Sequence, residues 1–222
     1  MPRESQKARR ERTREIVARL KAAYPDSKCS LDFRNEWELL VAVMLSAQCT
    51  DERVNMVTPG LFRKWPRPED LAAAPREAVE DVVRSTGFYR NKAKHIQETA
   101  RAVVDEHAGK VPDTIEGLTA LPGVARKTAN VVLHVWYGAP EGSGAGVVVD
   151  THVTRVANRL RLTRSTDAKR IEEDLVKVVE EADWGVFTHL VIDHGRAVCT
   201  GRTKPKCDRC IIAALCPSAF AF

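Results

Sequence analysis

Apolar positions recur at helical spacing along almost the whole chain. Ile16, Val17, Leu20 and Ala23 share one face of a helix over 8–23. EWELLVAVMLSAQC, Glu36 to Cys49, is apolar on nearly every side, which predicts a buried central helix. DERVNMVTPGLFRKW returns to an amphipathic pattern; Asp51 is a natural N-cap, and Pro59-Gly60 is expected to kink or break the helix. Two short helices are expected over 68–85, with Pro68 and Pro75 suited to their starts. Gly87 then makes a turn before a helix from Arg90 to His107. A helix over 114–120, a Pro122-Gly123 turn and a helix from Ala125 to Tyr137 come next. GAPEGSGAG, Gly138 to Gly146, is the most loop-like stretch and a candidate domain boundary. VVVDTHVTRVANRL starts extended and continues as a helix, and 167–182 and 184–198 read as two more. No strand alternation is convincing, so the expected fold class is all-α, with about ten short helices.

Composition narrows the function classes. The chain has 222 residues, enough for one large domain or two small ones, and 44% apolar content argues against disorder over most of it. A formal charge of +5 permits a nucleic-acid partner without requiring one. No apolar run reaches the length of a membrane span. The start, MPRESQKARRERTRE, is rich in arginine like a transit peptide, but Glu4, Glu11 and Glu15 interrupt it. It reads as the basic beginning of a first helix, and the chain as an intracellular protein of a reducing compartment.

Cys29 and Cys49 are isolated, whereas Cys199, Cys207, Cys210 and Cys216 crowd together near the end. In a reducing compartment such a group points to a metal site rather than disulfides. The spacing has one close pair, where structural zinc usually takes two; an iron–sulfur cluster accepts four cysteines at uneven spacing, and spacing alone leaves both open. Arg202, Lys204, Lys206 and Arg209 lie between the ligands. They are either a solvated charge run or a basic loop, fixed by the metal, that meets a phosphate backbone.

LPGVARKTANVV, Leu121 to Val132, carries the sharpest chemistry. Helix, tight turn and helix form a helix-hairpin-helix, with Gly123 supplying backbone freedom. The first amides of the second helix have no internal partner and sit at the positive end of its dipole, which suits a phosphate. Val124, Ala125, Thr128, Ala129, Val131, Val132 and Val135 are expected on the buried side, with Lys127, Asn130, His134 and Tyr137 opposite. A lone helix lysine is usually a solvated surface residue. Lys127, however, lies one turn from the phosphate-gripping end, beside Arg126, and a desolvated neutral amine there is a nucleophile able to form Schiff bases. In VDTHV, Asp150 is an N-cap for the following helix, and a rigidly held carboxylate is also able to accept a proton or stabilise a developing cation.

Taken together, LPGVARKTANVV, VDTHV and the four-cysteine tail resemble the endonuclease III family, bifunctional DNA glycosylases and abasic-site lyases of the helix-hairpin-helix superfamily. LSAQCTDERVN, GFYRNKAKHI and IDHGRAVC share the likeness, which runs from about 12 to 217. The resemblance implies a six-helix domain over 30–138 carrying the hairpin, and a discontinuous cluster domain made of 1–29 and 139–222. It implies Lys127 as nucleophile, Asp150 as catalytic carboxylate, and a 4Fe-4S cluster on Cys199, Cys207, Cys210 and Cys216. It implies a monomer bound to duplex DNA with a damaged base or an abasic site, and the short tails suit a bacterial cytoplasmic enzyme. Gln48 falls where the family inserts a glutamine into the gap left by a flipped base; Asp51 is read as a cap rather than a pocket residue. Gly123, Ala125 and Arg126 of the hairpin, Phe88, and Arg202, Lys204 and Lys206 of the tail complete the expected DNA contacts.

Several positions depart from the family pattern. Ala125 replaces a second hairpin glycine, Phe88 an aliphatic wedge, the 138–146 loop is long, and the first cysteine gap has one extra residue. Two other readings compete. A glycosylase without lyase activity is disfavoured by Lys127, and a non-enzymatic DNA-binding module would tolerate its loss.

Overall fold

In the computed structural model, residues 4–222 are described; Met1–Arg3, part of the basic start, lie outside the described residues. Eleven α-helices form among the described residues. They divide into two units, one of residues 30–145 and one of residues 1–29 with 146–222.

The unit of residues 30–145 holds α2 (Glu36–Leu45), α3 (Asp51–Lys64), α4 (Pro68–Ala73), α5 (Arg76–Val83), α6 (Tyr89–His107), α7 (Ile115–Ala120) and α8 (Arg126–Val132). α2 is buried at all but its first residue, as its unbroken apolar composition demands. It ends at Leu45 rather than Cys49, because residues 46–49 fold into a turn with Gln48 in the left-handed region at φ 53. α3 runs unbroken through Pro59. Proline removes one amide donor, and here the amphipathic face of Val54, Val57, Leu61 and Phe62 outweighs that loss. Its N-cap is Thr50, whose hydroxyl accepts from the Arg53 amide, so Asp51 is the first helical residue and not the cap.

α6 is the spine of this unit. Ala93, Ile96, Ala100 and Val103 form its buried stripe, each large aliphatic on such a stripe contributing roughly 1.5–3 kcal/mol. Its polar side chains reach sideways to fix neighbouring turns. Gln97 donates to Leu71 O at 3.2 Å and Ala74 O at 2.8 Å, capping α4. Thr99 donates to Pro122 O at 2.6 Å. α8 passes into a wider, π-type turn over Leu133–Tyr137, whose Tyr137 hydroxyl donates to Val111 O at 2.6 Å. Burial, reinforced by Glu36 and Asp113, pushes this phenol up to about 12. The loop that follows packs back on the same unit, the Ile115 amide donating to Ser143 O at 2.8 Å.

The second unit holds α1 (Gln6–Ala23), α9 (Thr151–Arg159), α10 (Ala168–Leu175) and α11 (Trp184–Ala197). Ile16 and Leu20 from α1, Val153 and Val156 from α9, Ile171 and Leu175 from α10, and Phe187 and Leu190 from α11 make one core. α10 stops at Leu175, earlier than the expected 182; a turn and a short 3-10 piece fill the gap.

Candidate functional site

The hairpin forms between α7 and α8. Gly123 turns at φ 76, and a Cβ there would fall 2.7 Å from the Cβ of His95 on α6. The turn is thus held against α6 on one side by this close approach and on the other by the Thr99 hydroxyl on Pro122 O. Ala125 occupies the N-cap of α8 in an extended conformation and caps none of the first-turn amides. Lys127 and Arg126 stand in that first turn, both exposed. The Arg126 guanidinium donates to Gly144 O at 3.4 Å. The expected split is corrected at two residues: Asn130 is buried, 1% exposed, between Ala129 and Val132, and Ala125, expected on the buried side, is exposed.

Three of the expected DNA-contacting residues come together. Gln48, Phe88 and Gly123 line one cavity of about 210 Å³ with Met44, Ala47, Asn91, Lys92 and His95. Gln48 and Phe88 both adopt left-handed backbone, at φ 53 and φ 46, which non-glycine residues rarely do. Phe88 is 65% exposed, so it is a projecting ring and not a core side chain. Beside it the Tyr89 ring carries two guanidinium groups, Arg84 at 4.8 Å and Arg90 at 5.3 Å from its centre.

Lys92 and His95 were not singled out from the sequence. Lys92 is buried on the apolar stripe of α6, and its ammonium donates to Leu45 O at 2.8 Å and Thr86 O at 2.7 Å. A sequence signal exists: Lys92, Ile96, Ala100 and Val103 share a helical face, so a lysine stands at an apolar position.

Asp150, in the other unit, is the N-cap of α9, its Oδ1 accepting from the Val153 amide at 2.7 Å. The side chain is half-buried and its orientation is fixed by that bond.

The four clustered cysteines all line one apolar pocket with Val156, Leu160, His194, Ile212 and Phe222. The loop carrying them is held by arginines. Arg159 donates to Cys199 O, Thr200 O and Cys199 Sγ, Arg155 to Cys199 O, and Arg12 to Leu215 O. Buried His194 meets Cys210 Sγ at 3.6 Å and the Tyr24 hydroxyl at 3.3 Å; burial lowers its pKa to about 4, so the ring is neutral. Burial raises the Cys210 and Cys216 thiols, and the neighbouring cysteines add to both shifts. Thiols raised in this way need a bound cation to stay ionised. Among the described residues no three His, Cys, Asp or Glu side chains converge closely enough for one metal ion. A single zinc draws four sulfurs to ~2.3 Å from one centre. An iron–sulfur cluster gives each thiolate its own iron, and four cysteines that line one apolar pocket without converging on a point fit that group better. Arg202 and Lys204 are exposed on the intervening loop, and the Lys206 amine donates to Ala197 O at 3.1 Å.

Comparison with known proteins agrees with this geometry. Residues 41–181 match the model of the HhH-GPD superfamily of base excision DNA repair proteins. The chain is 52% identical to endonuclease III of Synechocystis sp., over 96% of this chain and 95% of that protein. It is 40% identical to endonuclease III of Escherichia coli K12, over 91% and 93%. A solved structure of a trapped endonuclease III–DNA covalent intermediate superposes with a TM-score of 0.86 at 41% identity, covering 95% of this chain and 96% of that one. A non-covalent endonuclease III–DNA complex matches equally, at TM-score 0.86 and 40% identity. A thermostable thymine-DNA glycosylase at 21% identity shares the fold, with a TM-score of 0.83. No described helix is long and apolar enough to cross a membrane. The chain belongs to the endonuclease III family of the HhH-GPD superfamily, base excision repair enzymes that act as DNA glycosylases and abasic-site lyases.

Proposed function

We propose that this chain removes oxidised pyrimidines of the thymine glycol type from duplex DNA and cuts the strand 3′ to the resulting abasic site, with Lys127 as nucleophile and Asp150 as catalytic carboxylate. The observation that carries the reading is the first turn of α8: an N-cap, Ala125, whose side chain caps no amide, and an exposed Lys127 shortly after the glycine turn. The relative trapped as a covalent DNA intermediate supports an amine that bonds to the sugar.

The proposed steps are these. Gly123, Ala125 and Arg126 grip the phosphate backbone without reading bases. Gln48 and Phe88 enter the stack as the damaged nucleotide leaves it; a damaged base pairs poorly, so its extrusion costs less. The Lys127 amine attacks C1′, and the bond from C1′ to the base breaks. The C1′–O4′ bond then opens, O4′ taking up a proton, and the protonated imine that results makes the C2′ proton acidic. Loss of that proton breaks the bond between C3′ and its oxygen and releases the 3′ strand as a 5′-phosphate. Asp150 receives the amine proton and stabilises positive charge on the sugar.

Cys199, Cys207, Cys210 and Cys216 would hold a 4Fe-4S cluster in this reading, the support being that all four line one apolar pocket and that burial raises the Cys210 and Cys216 thiols. When bound, it cross-links the loop bearing Arg202, Lys204 and Lys206, which contacts phosphates. The working division is a hairpin domain, 30–145, and a cluster domain, 1–29 with 146–222; the loop 139–145, expected in the cluster domain, packs with the hairpin unit. The enzyme acts as a monomer on damaged or abasic duplex DNA, at the nucleoid of a bacterial cytoplasm; its relatives include several bacterial proteins.

The test mixes the protein with a duplex holding one thymine glycol, adds borohydride, and resolves products on a denaturing gel, with Lys127→Gln beside it. An adduct in the unsubstituted protein that is absent from the variant is expected. An adduct only with a plain abasic site would remove the proposed substrate class, and none with either would remove the lyase assignment. Analysis of iron and sulfide should return about four of each per chain; zinc without sulfide would overturn the cluster reading.

A further inference from the structure

Two loops of the hairpin-bearing unit project side chains from left-handed backbone, and one buried ammonium ties them together. Leu45 O, at the end of α2, lies three residues before Gln48; Thr86 O lies two residues before Phe88. Both carbonyls accept from Lys92 Nζ, at 2.8 Å and 2.7 Å. Leu45 O lies in the last turn of its helix, the negative end of the dipole, where a cation is favoured. Lys92 is 7% exposed and lines the same cavity as Gln48 and Phe88. Neither loop has a glycine or proline at its projecting residue, so local sequence does not dictate either conformation.

We propose that Lys92 is a positioning residue for the glycosylase reaction: its ammonium, shared between Leu45 O and Thr86 O, sets the separation of the Gln48 and Phe88 loops so that both side chains enter the DNA stack together. The inference rests on the reading of Gln48 and Phe88 as the stack-entering groups. Burial holds the Lys92 pKa below the ordinary lysine value, with nearby Cys49 opposing the shift, which fits an ammonium whose solvent has been replaced by carbonyls. An unpartnered buried cation would be costly, so the two carbonyls and the cation fix one another. Loop displacement of an ångström is enough to matter, since misplacement on that scale can cost about a hundredfold in rate.

The test uses the full-length protein and borohydride trapping on an abasic site, in a duplex and in the same strand unpaired. An unpaired strand needs no wedge, so loss of positioning should appear in the duplex alone. Lys92→Met is expected to slow duplex trapping by about tenfold to a hundredfold and to leave single-strand trapping within about twofold, against the ordinary scatter of mutational additivity. Placed in a Gln48→Ala, Phe88→Ala background, Lys92→Met should add almost nothing, because the groups it positions are gone. Should Lys92→Met fail to fold, Lys92→Arg, which keeps the charge but not the reach, is read in the same cycle with the same expected direction. Equal losses on both substrates, or a full additional loss in the double-alanine background, would make Lys92 a structural residue only and overturn the proposal. If Gln48→Ala, Phe88→Ala itself traps duplex DNA at the unsubstituted rate, the stack-entry reading fails, which is a separate result from any failure of Lys92.

Discussion

Gly123 presses its bare backbone against His95: a Cβ at position 123 would stand 2.7 Å from the His95 Cβ and 2.8 Å from its Cγ. The glycine is therefore required twice, once for φ 76 and once for contact with α6. Gly123→Ala should destabilise the protein by about 2–4 kcal/mol, from left-handed strain and overpacking together. Because the His95 Cβ is itself in the way, His95→Ala should recover only part of that loss. Urea unfolding of the two single variants and the double variant checks this; full recovery would mean that the ring alone sets the approach.

Asp150 serves as a helix cap and, in the proposed mechanism, as the catalytic carboxylate. The two roles separate by substitution. Asp150→Asn keeps a good capping side chain, so stability should change by less than about 0.5 kcal/mol, while turnover on abasic duplex falls by about 10²–10⁴. Asp150→Ala should lose the same activity and, in addition, about 1 kcal/mol of stability. Thermal melts beside single-turnover kinetics make the comparison. An active Asp150→Asn would reduce Asp150 to a cap.

The Tyr137 hydroxyl offers a pH dependence with a definite sign. The phenol ionises at 10.0 when unperturbed and at about 12 in the folded protein. The native state thus retains a proton that the unfolded chain releases above 10, so this contribution is complete below that pH and is lost as pH rises toward 12. Tyr137→Phe should cost about 1 kcal/mol at neutral pH, from the lost bond to Val111 O. Its stability curve should also be flatter than that of the unsubstituted protein from pH 10 to 12. Parallel curves across that window would contradict the assignment.

Most helices were legible because burial and periodicity coincide in them, α2 and α6 above all. The misreadings share a cause. The apolar run at Glu36 continues past Leu45 without a breaker, so nothing local announces that Lys92, far along the chain, takes the Leu45 carbonyl where the helix stops. Pro59 reads as a breaker until the packing of Leu61 and Phe62 beyond it is known. Asn130 sits at a position that polarity alone assigns to solvent. In the candidate site, the hairpin glycine and the four cysteines carried their chemistry in residue type and spacing. Lys127 and Asp150 did not: each has a common structural role, and only the family likeness paired them. Lys92 was hidden because a charged residue in a helix is ordinarily taken for a surface residue, although its place on an apolar stripe marks it.

The central claim is that one particular amine bonds to the sugar. The direct measurement is to digest the borohydride-reduced adduct with protease and nuclease and to locate the modified peptide by mass spectrometry. The account predicts the sugar remnant on Lys127, within the peptide that follows Arg126. A remnant on Lys92, on the chain's amino terminus, or spread over several surface lysines would contradict it.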